Sequence, residues 1–113
     1  MDDVLLIFTT VPDEAVALQL ATVLLSEGLA ACVSRQAAVQ SMYWWEGRIE
    51  KGQEWLLTIK TTRTSWPAVE RRCLELHPYE VPELLAVAAT CVHEPYRRWL
   101  LQESARSGTS ETD

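Results

Sequence analysis

From Val4 to Thr10 the chain runs apolar and rich in β-formers, a pattern that predicts a buried strand. Pro12-Asp13-Glu14 then reads as a helix start, because proline suits the first turn and carboxylates there complement the helix dipole. Val16, Leu20, Val23 and Leu24 recur at helical spacing, and Gly28 closes that helix as a C-terminal cap. Ala30 to Glu46 holds no lasting helical period and ends in the aromatic run Met42-Tyr43-Trp44-Trp45. Glu46-Gly47-Arg48 supplies a turn. Glu54 to Thr62 then alternates, with Trp55, Leu57 and Ile59 on one face and Leu56, Thr58 and Lys60 on the other. Together these segments predict a long hairpin, bulged near Gly52.

Thr64-Ser65-Trp66-Pro67 opens a second helix with Ser65 as its expected N-cap, and Trp66, Val69, Cys73 and Leu76 form its apolar face. Pro78 stops it. Leu84 to Cys91 reads as a fourth strand, and Tyr96 to Gln102 as a short terminal helix carrying Trp99. Residues 104–113 are small and polar, which predicts a disordered tail after a single domain spanning 1–103. The order β-α-β-β-α-β plus a terminal helix predicts an α+β, ferredoxin-like sandwich with both main helices on one face of an antiparallel sheet. The other face then lacks a cover in one protomer, and the second hairpin is longer than one domain needs. Packing of several subunits resolves both, so an oligomer is expected. The fold alone hosts many functions.

Composition narrows the classes. The chain has 113 residues, enough for one hydrophobic core. Its formal net charge of −6 repels phosphate backbones, which argues against a nucleic-acid partner. The three cysteines, Cys32, Cys73 and Cys91, form no C-x-x-C pair and each sits among apolar neighbours, as a small buried hydrophobe would. An odd count fits a reducing compartment. No basic leader precedes an apolar run, and no run is long enough to cross a bilayer, so a cytoplasmic protein with no membrane partner is expected. Trp44 and Trp45 are adjacent and must point to opposite faces of a strand, so one of them is expected to meet a second layer or another subunit.

The candidate chemistry concentrates in His77-Pro78-Tyr79-Glu80-Val81-Pro82-Glu83, a loop stiffened by two prolines. His77 is either a ligand for a soft divalent ion or a helix-ending histidine bonded to a backbone carbonyl. Tyr79, Glu80 and Glu83 either line a cleft between subunits, with the carboxylates offering oxygen to a hard cation, or fix the loop by local bonding. Tyr43, Trp44 and Trp45 form a ligand wall or, preferably, a subunit interface. Lys60 either binds an anion or meets a carboxylate such as Glu46. His93, beside Glu94, reads as a surface loop residue. No nucleophile motif, phosphate-cradling glycine loop or zinc pair occurs, and Cys32 reads as structural, so no enzymatic activity is expected.

Thr9-Thr10-Val11-Pro12-Asp13-Glu14, Gly28-Leu29-Ala30-Ala31-Cys32, Tyr43-Trp44-Trp45-Glu46-Gly47, Lys60-Thr61-Thr62, the His77–Glu83 loop and Tyr96-x-x-Trp99-Leu100 follow in order. Taken together they resemble the CutA divalent-cation tolerance family, over roughly residues 3 to 102. The resemblance implies a homotrimer similar in shape to PII signalling proteins, and a role in tolerance of copper and other divalent cations. It also implies a copper site in the bacterial pattern, with a cysteine three residues before the first helix proline and a His-His pair before Pro-Tyr. Those positions are Thr9 and Leu76-His77 here, so only His77 keeps a ligand type. The expected function is divalent-cation tolerance by a trimer that binds Cu²⁺ or another divalent cation, or acts in response to one. The alternative is a PII-like signalling or scaffold trimer holding a small molecule or protein partner in its intersubunit clefts.

Overall fold

The computed structural model describes residues 2–105. Within them the elements are β1 (Val4–Val11), α1 (Glu14–Ser26), β2 (Cys32–Trp45), β3 (Arg48–Thr62), α2 (Trp66–Leu76), β4 (Leu85–Ala88) and α3 (Glu94–Glu103). The strands form one antiparallel sheet in the order β2-β3-β1-β4. This is the expected ferredoxin-like α+β arrangement.

Alternation along β1 explains the layering. Leu5, Ile7 and Val11 enter the core cluster with Ala17, Leu20 and Leu24 of α1 and Val69 and Cys73 of α2. Ile7 stands opposite Ile59 and Ala86, and Ile59 opposite Val33, so one row of apolar side chains crosses all strands beneath the helices. The other face carries Leu6, Phe8, Leu85, Val87, Thr58, Lys60 and Cys32. Leu85 and Val87 are 48% and 46% exposed there, so this face is open in the protomer, as the sequence pattern predicts. Helix α3 lies against β1 and β3 and buries Leu100.

The helix ends follow their local chemistry. Asp13 caps α1 by accepting the Val16 N–H at 3.0 Å. Past Glu27, Gly28 takes φ +72°, and the N–H groups of Gly28 and Leu29 return to the carbonyls of Leu25 and Leu24. Ser65 departs from expectation. A 3-10 turn over Arg63–Ser65 precedes α2, so Ser65 has helical backbone geometry and its hydroxyl donates to the Ser104 carbonyl instead of capping. Asp2 accepts the Thr64 N–H within that turn at 3.2 Å, and α2 itself has no side-chain cap among the described residues. Arg72 of α2 then bridges Glu27 at the end of α1 and Glu75, each at 2.8 Å, which ties the two helices together.

The hairpin differs from expectation in two places. Its loop is the two-residue turn Glu46-Gly47, with φ of +51° and +79°, and Arg48 already pairs with Trp45 in the ladder. The bulge lies between Gln36 and Val39, where Ala37 and Ala38 together oppose Trp55 and Ala38 adopts φ +66°; Gly52 pairs regularly with Ser41. Glycine tolerance misdirects the sequence reading here, since an alanine carries the left-handed conformation. Beyond the bulge the strands outrun the body, and the molecule measures 45 × 32 × 23 Å. Trp44 is 72% exposed and Trp45 45% exposed, on opposite faces of this arm.

Three further expectations are corrected. The fourth strand covers only Leu85–Ala88, because Cys91 and its neighbours have no ladder partner among the described residues. Of the cysteines only Cys73 is buried; Cys32 is half-buried and Cys91 exposed. Ser104, placed by sequence at the start of a disordered tail, is 3% exposed and bonded through its N–H and hydroxyl to the Leu100 carbonyl. Residues 106–113 of that expected tail lie outside the described residues.

Candidate functional site

Strand β4 pairs with β1 only as far as Phe8, which leaves the end of β1 without a neighbour on that side. The loop after α2 comes to this part of β1. Helix α2 ends at Leu76, and His77 turns to extended geometry ahead of Pro78. The His77 ring lies against β1 with 9% of the residue exposed. Its Nε2 is 2.9 Å from the Thr10 carbonyl oxygen, and the Tyr79 backbone N–H donates to its Nδ1 at 3.2 Å.

These two contacts fix the tautomer. Nδ1 receives a proton donor, so it carries the lone pair; Nε2 therefore carries the hydrogen and donates to Thr10. Burial pushes the imidazole below its ordinary value of 6.5, opposed by the Thr10 bond and the charge of Glu54. The neutral ring is consistent with both bonds.

Tyr79 extends the network. Its ring stands 4.8 Å from that of His77, and its hydroxyl donates to Glu54 Oε2 at 2.7 Å. Burial, then the bond to Glu54, raises the phenol above the usual range, and the charges of Tyr43 and Asp13 add to the effect. Glu54, on β3, is 8% exposed. Sequence reading placed Glu54 only at the head of an alternating run. A carboxylate at the head of the alternating run Glu54–Thr62, midway along β3, is the available signal, and its partner is legible only through the long-range register.

The predicted residues do not all meet. His77 and Tyr79 come together, with Tyr43 close enough to act on Tyr79 electrostatically. Trp45 lies near the tip of the arm, paired with Arg48, and Tyr43 pairs with Glu50. Glu80 and Glu83 are exposed on the loop. Lys60 lies elsewhere, near the far end of β3. Its ammonium approaches Cys32 Sγ at 3.9 Å, its cross-strand neighbour, rather than Glu46 at the hairpin turn. His93 precedes α3 and is exposed.

Copper is the metal that the sequence resemblance implies. The donor set of one protomer does not fit it. Thr9 is fully buried, and its Oγ1 is a neutral hydroxyl without a hydrogen-bond partner among the described residues. Leu76 packs against the apolar core. His77 has both ring nitrogens engaged. Among the described residues no three His, Cys, Asp or Glu side chains gather as a metal-holding group. Copper favours several nitrogen or sulfur donors together.

Comparison with known proteins places the chain. Residues 5–103 match the family described as CutA1 divalent ion tolerance protein. The "Divalent-cation tolerance protein CutA" of Thermus thermophilus is 40% identical over 104 residues, covering 92% of this chain and 99% of that protein. That of Pyrococcus horikoshii is 35% identical over 102 residues, covering 90% and 99%. The crystal structure of CutA from Xylella fastidiosa superposes with a TM-score of 0.87 at 42% identity, covering 89% of this chain and 97% of that one. With its fold, its ordered motifs and these relatives in agreement, the chain belongs to the CutA1 divalent ion tolerance family.

Proposed function

We propose that this protein serves divalent-cation tolerance as a cytoplasmic homotrimer without enzymatic activity, and that it meets cations or their consequences at clefts between subunits. The observation that carries this reading is the open sheet face combined with the protruding aromatic arm. Leu85, Val87, Tyr43, Trp44 and Trp45 expose apolar surface that a lone protomer leaves in water. Arms that lie across neighbouring subunits cover such surface and bring Trp45 to another protomer's loop, while Tyr43 stays near Tyr79 of its own. In that arrangement Glu80 and Glu83 face the cleft and offer oxygen to a divalent cation. No helix among the described residues is long and apolar enough to cross a membrane.

The test is physiological. Cells lacking their own family member are grown in graded Cu²⁺, Zn²⁺ and Co²⁺ with and without this chain. Expression raises the tolerated concentration of at least one ion; no change for any ion removes the reading.

A second reading, PII-like binding of a small molecule or protein in the same clefts, draws on the closed His77–Tyr79–Glu54 network. A loop whose donors are already satisfied suits the wall of a pocket better than the centre of an ion cage. A thermal-shift screen of ions and metabolites separates the readings, since a ligand of the folded state raises its melting temperature.

A further inference from the structure

The loop's imidazole has a different use from the one its motif implies. We infer that His77 in this chain is a positioning residue and not a metal ligand: its two ring nitrogens clasp the loop to β1 and set the Tyr79 hydroxyl on Glu54. This assignment stands independently of how many subunits assemble.

The geometry carries it. A metal at Nδ1 displaces the Tyr79 N–H, which then loses its partner at 3.2 Å. A metal at Nε2 removes the hydrogen donated to Thr10 and leaves that carbonyl without its 2.9 Å partner. Either route breaks a bond in a site where the residue is only 9% exposed. Neither adjoining position compensates. Leu76 has no donor atom and packs into the core, and the Thr9 hydroxyl is a neutral oxygen, poorly matched to a soft ion. The clasp also has an effect beyond holding the loop. By fixing the Tyr79 backbone, His77 aims the phenol at Glu54, closing a link from α2 through β1 to β3. Pro78 and Pro82 hold the rest of the loop, so Glu80 and Glu83 are presented outward from a fixed base.

The experiment uses the whole chain labelled with ¹⁵N. The His77 ring shifts report which nitrogen carries the proton, and hydrogen exchange reports the Tyr79 amide. The expected spectrum has a protonated Nε2 and an unprotonated Nδ1, unmoved by stoichiometric Zn²⁺. A proton on Nδ1, or a ring shift that tracks added Zn²⁺, overturns the assignment.

Two variants add a separate arm. His77→Asn places an amide oxygen where Nδ1 accepts, and His77→Ala removes the acceptor. Tyr79 amide exchange is expected to quicken by at least about tenfold in His77→Ala and to stay near wild type in His77→Asn. Calorimetry with Cu²⁺ is expected to give wild type and His77→Asn the same affinity. A loss of about tenfold or more in His77→Asn, with the Tyr79 amide still protected, overturns the inference. Should His77→Ala fail to fold, the wild-type spectrum still decides.

Discussion

The Tyr79 hydroxyl donates to the Glu54 carboxylate at 2.7 Å, although the two residues are 25 positions apart. The bond joins the proline-stiffened loop to the strand that carries the arm. Glu54 is 8% exposed, so little water replaces this donor if it is lost. Tyr79→Phe is therefore expected to destabilise the fold by about 1–3 kcal/mol, the usual range for a bond to a charged group. Urea denaturation checks it, and an unchanged midpoint would show that the pair contributes nothing.

The same pair has a spectroscopic signature. Burial and the neighbouring carboxylate hold the Tyr79 phenol above the ordinary value of 10. In an ultraviolet titration Tyr79 is expected to ionise late, above the ordinary phenol range, and Tyr79→Phe should remove that late step. A late step that persists in the variant belongs to another residue.

Thr9 presents the opposite case, a fully buried hydroxyl with no partner among the described residues. Valine is nearly the same size and lacks the orphaned oxygen. Thr9→Val is expected to stabilise by about 1 kcal/mol, seen as a higher denaturant midpoint at unchanged slope. A loss of stability would mean that Oγ1 has a bonding partner, such as a buried water.

His77 gives the fold a pH dependence. Folding lowers the proton affinity of the ring below its ordinary 6.5, chiefly through burial. Between 6.5 and the lower folded value the unfolded chain holds more protons, so stability rises with pH across that window. It is fully present above 6.5 and is lost as pH falls through the folded value. His77→Asn is expected to flatten this slope relative to wild type. Equal slopes would assign the dependence to other groups.

The cysteines divide by exposure. Cys91 is exposed and should react promptly with a thiol reagent. Burial pushes the Cys73 thiol up to about 11, so it should react only after unfolding. Cys32 lies on the open sheet face beside Lys60, and its reactivity should fall when subunits cover that face. A native Cys73 that reacts as fast as Cys91 would contradict the packing of α2.

Much of this was legible in the sequence because local patterns and burial agree. Val16, Leu20 and Leu24 form a helix face because they pack on the apolar sheet face that carries Ile7, Leu57 and Ile59. Trp44 and Trp45 stand on opposite faces because strand geometry leaves no alternative. The motif order sufficed for the family. The bulge escaped because Ala38 adopts a conformation that composition assigns to glycine. Ser65 fails to cap because a preceding 3-10 turn changes its backbone, and Asp2, distant in sequence, bonds the Thr64 N–H of that turn. Within the site, His77 and Tyr79 were visible as a motif. Glu54 and the Thr10 carbonyl were not, because their roles depend on strand register and on where β4 stops.

We propose an assembly whose clefts, rather than a copper centre in one protomer, meet the cation challenge. Light scattering on the purified protein at micromolar concentration tests the assembly most directly. The expected mass is about three times the 12.8 kDa of one chain, with Trp44→Glu shifting the population toward smaller species. A wild-type protein that remains a stable 12.8 kDa monomer would contradict it.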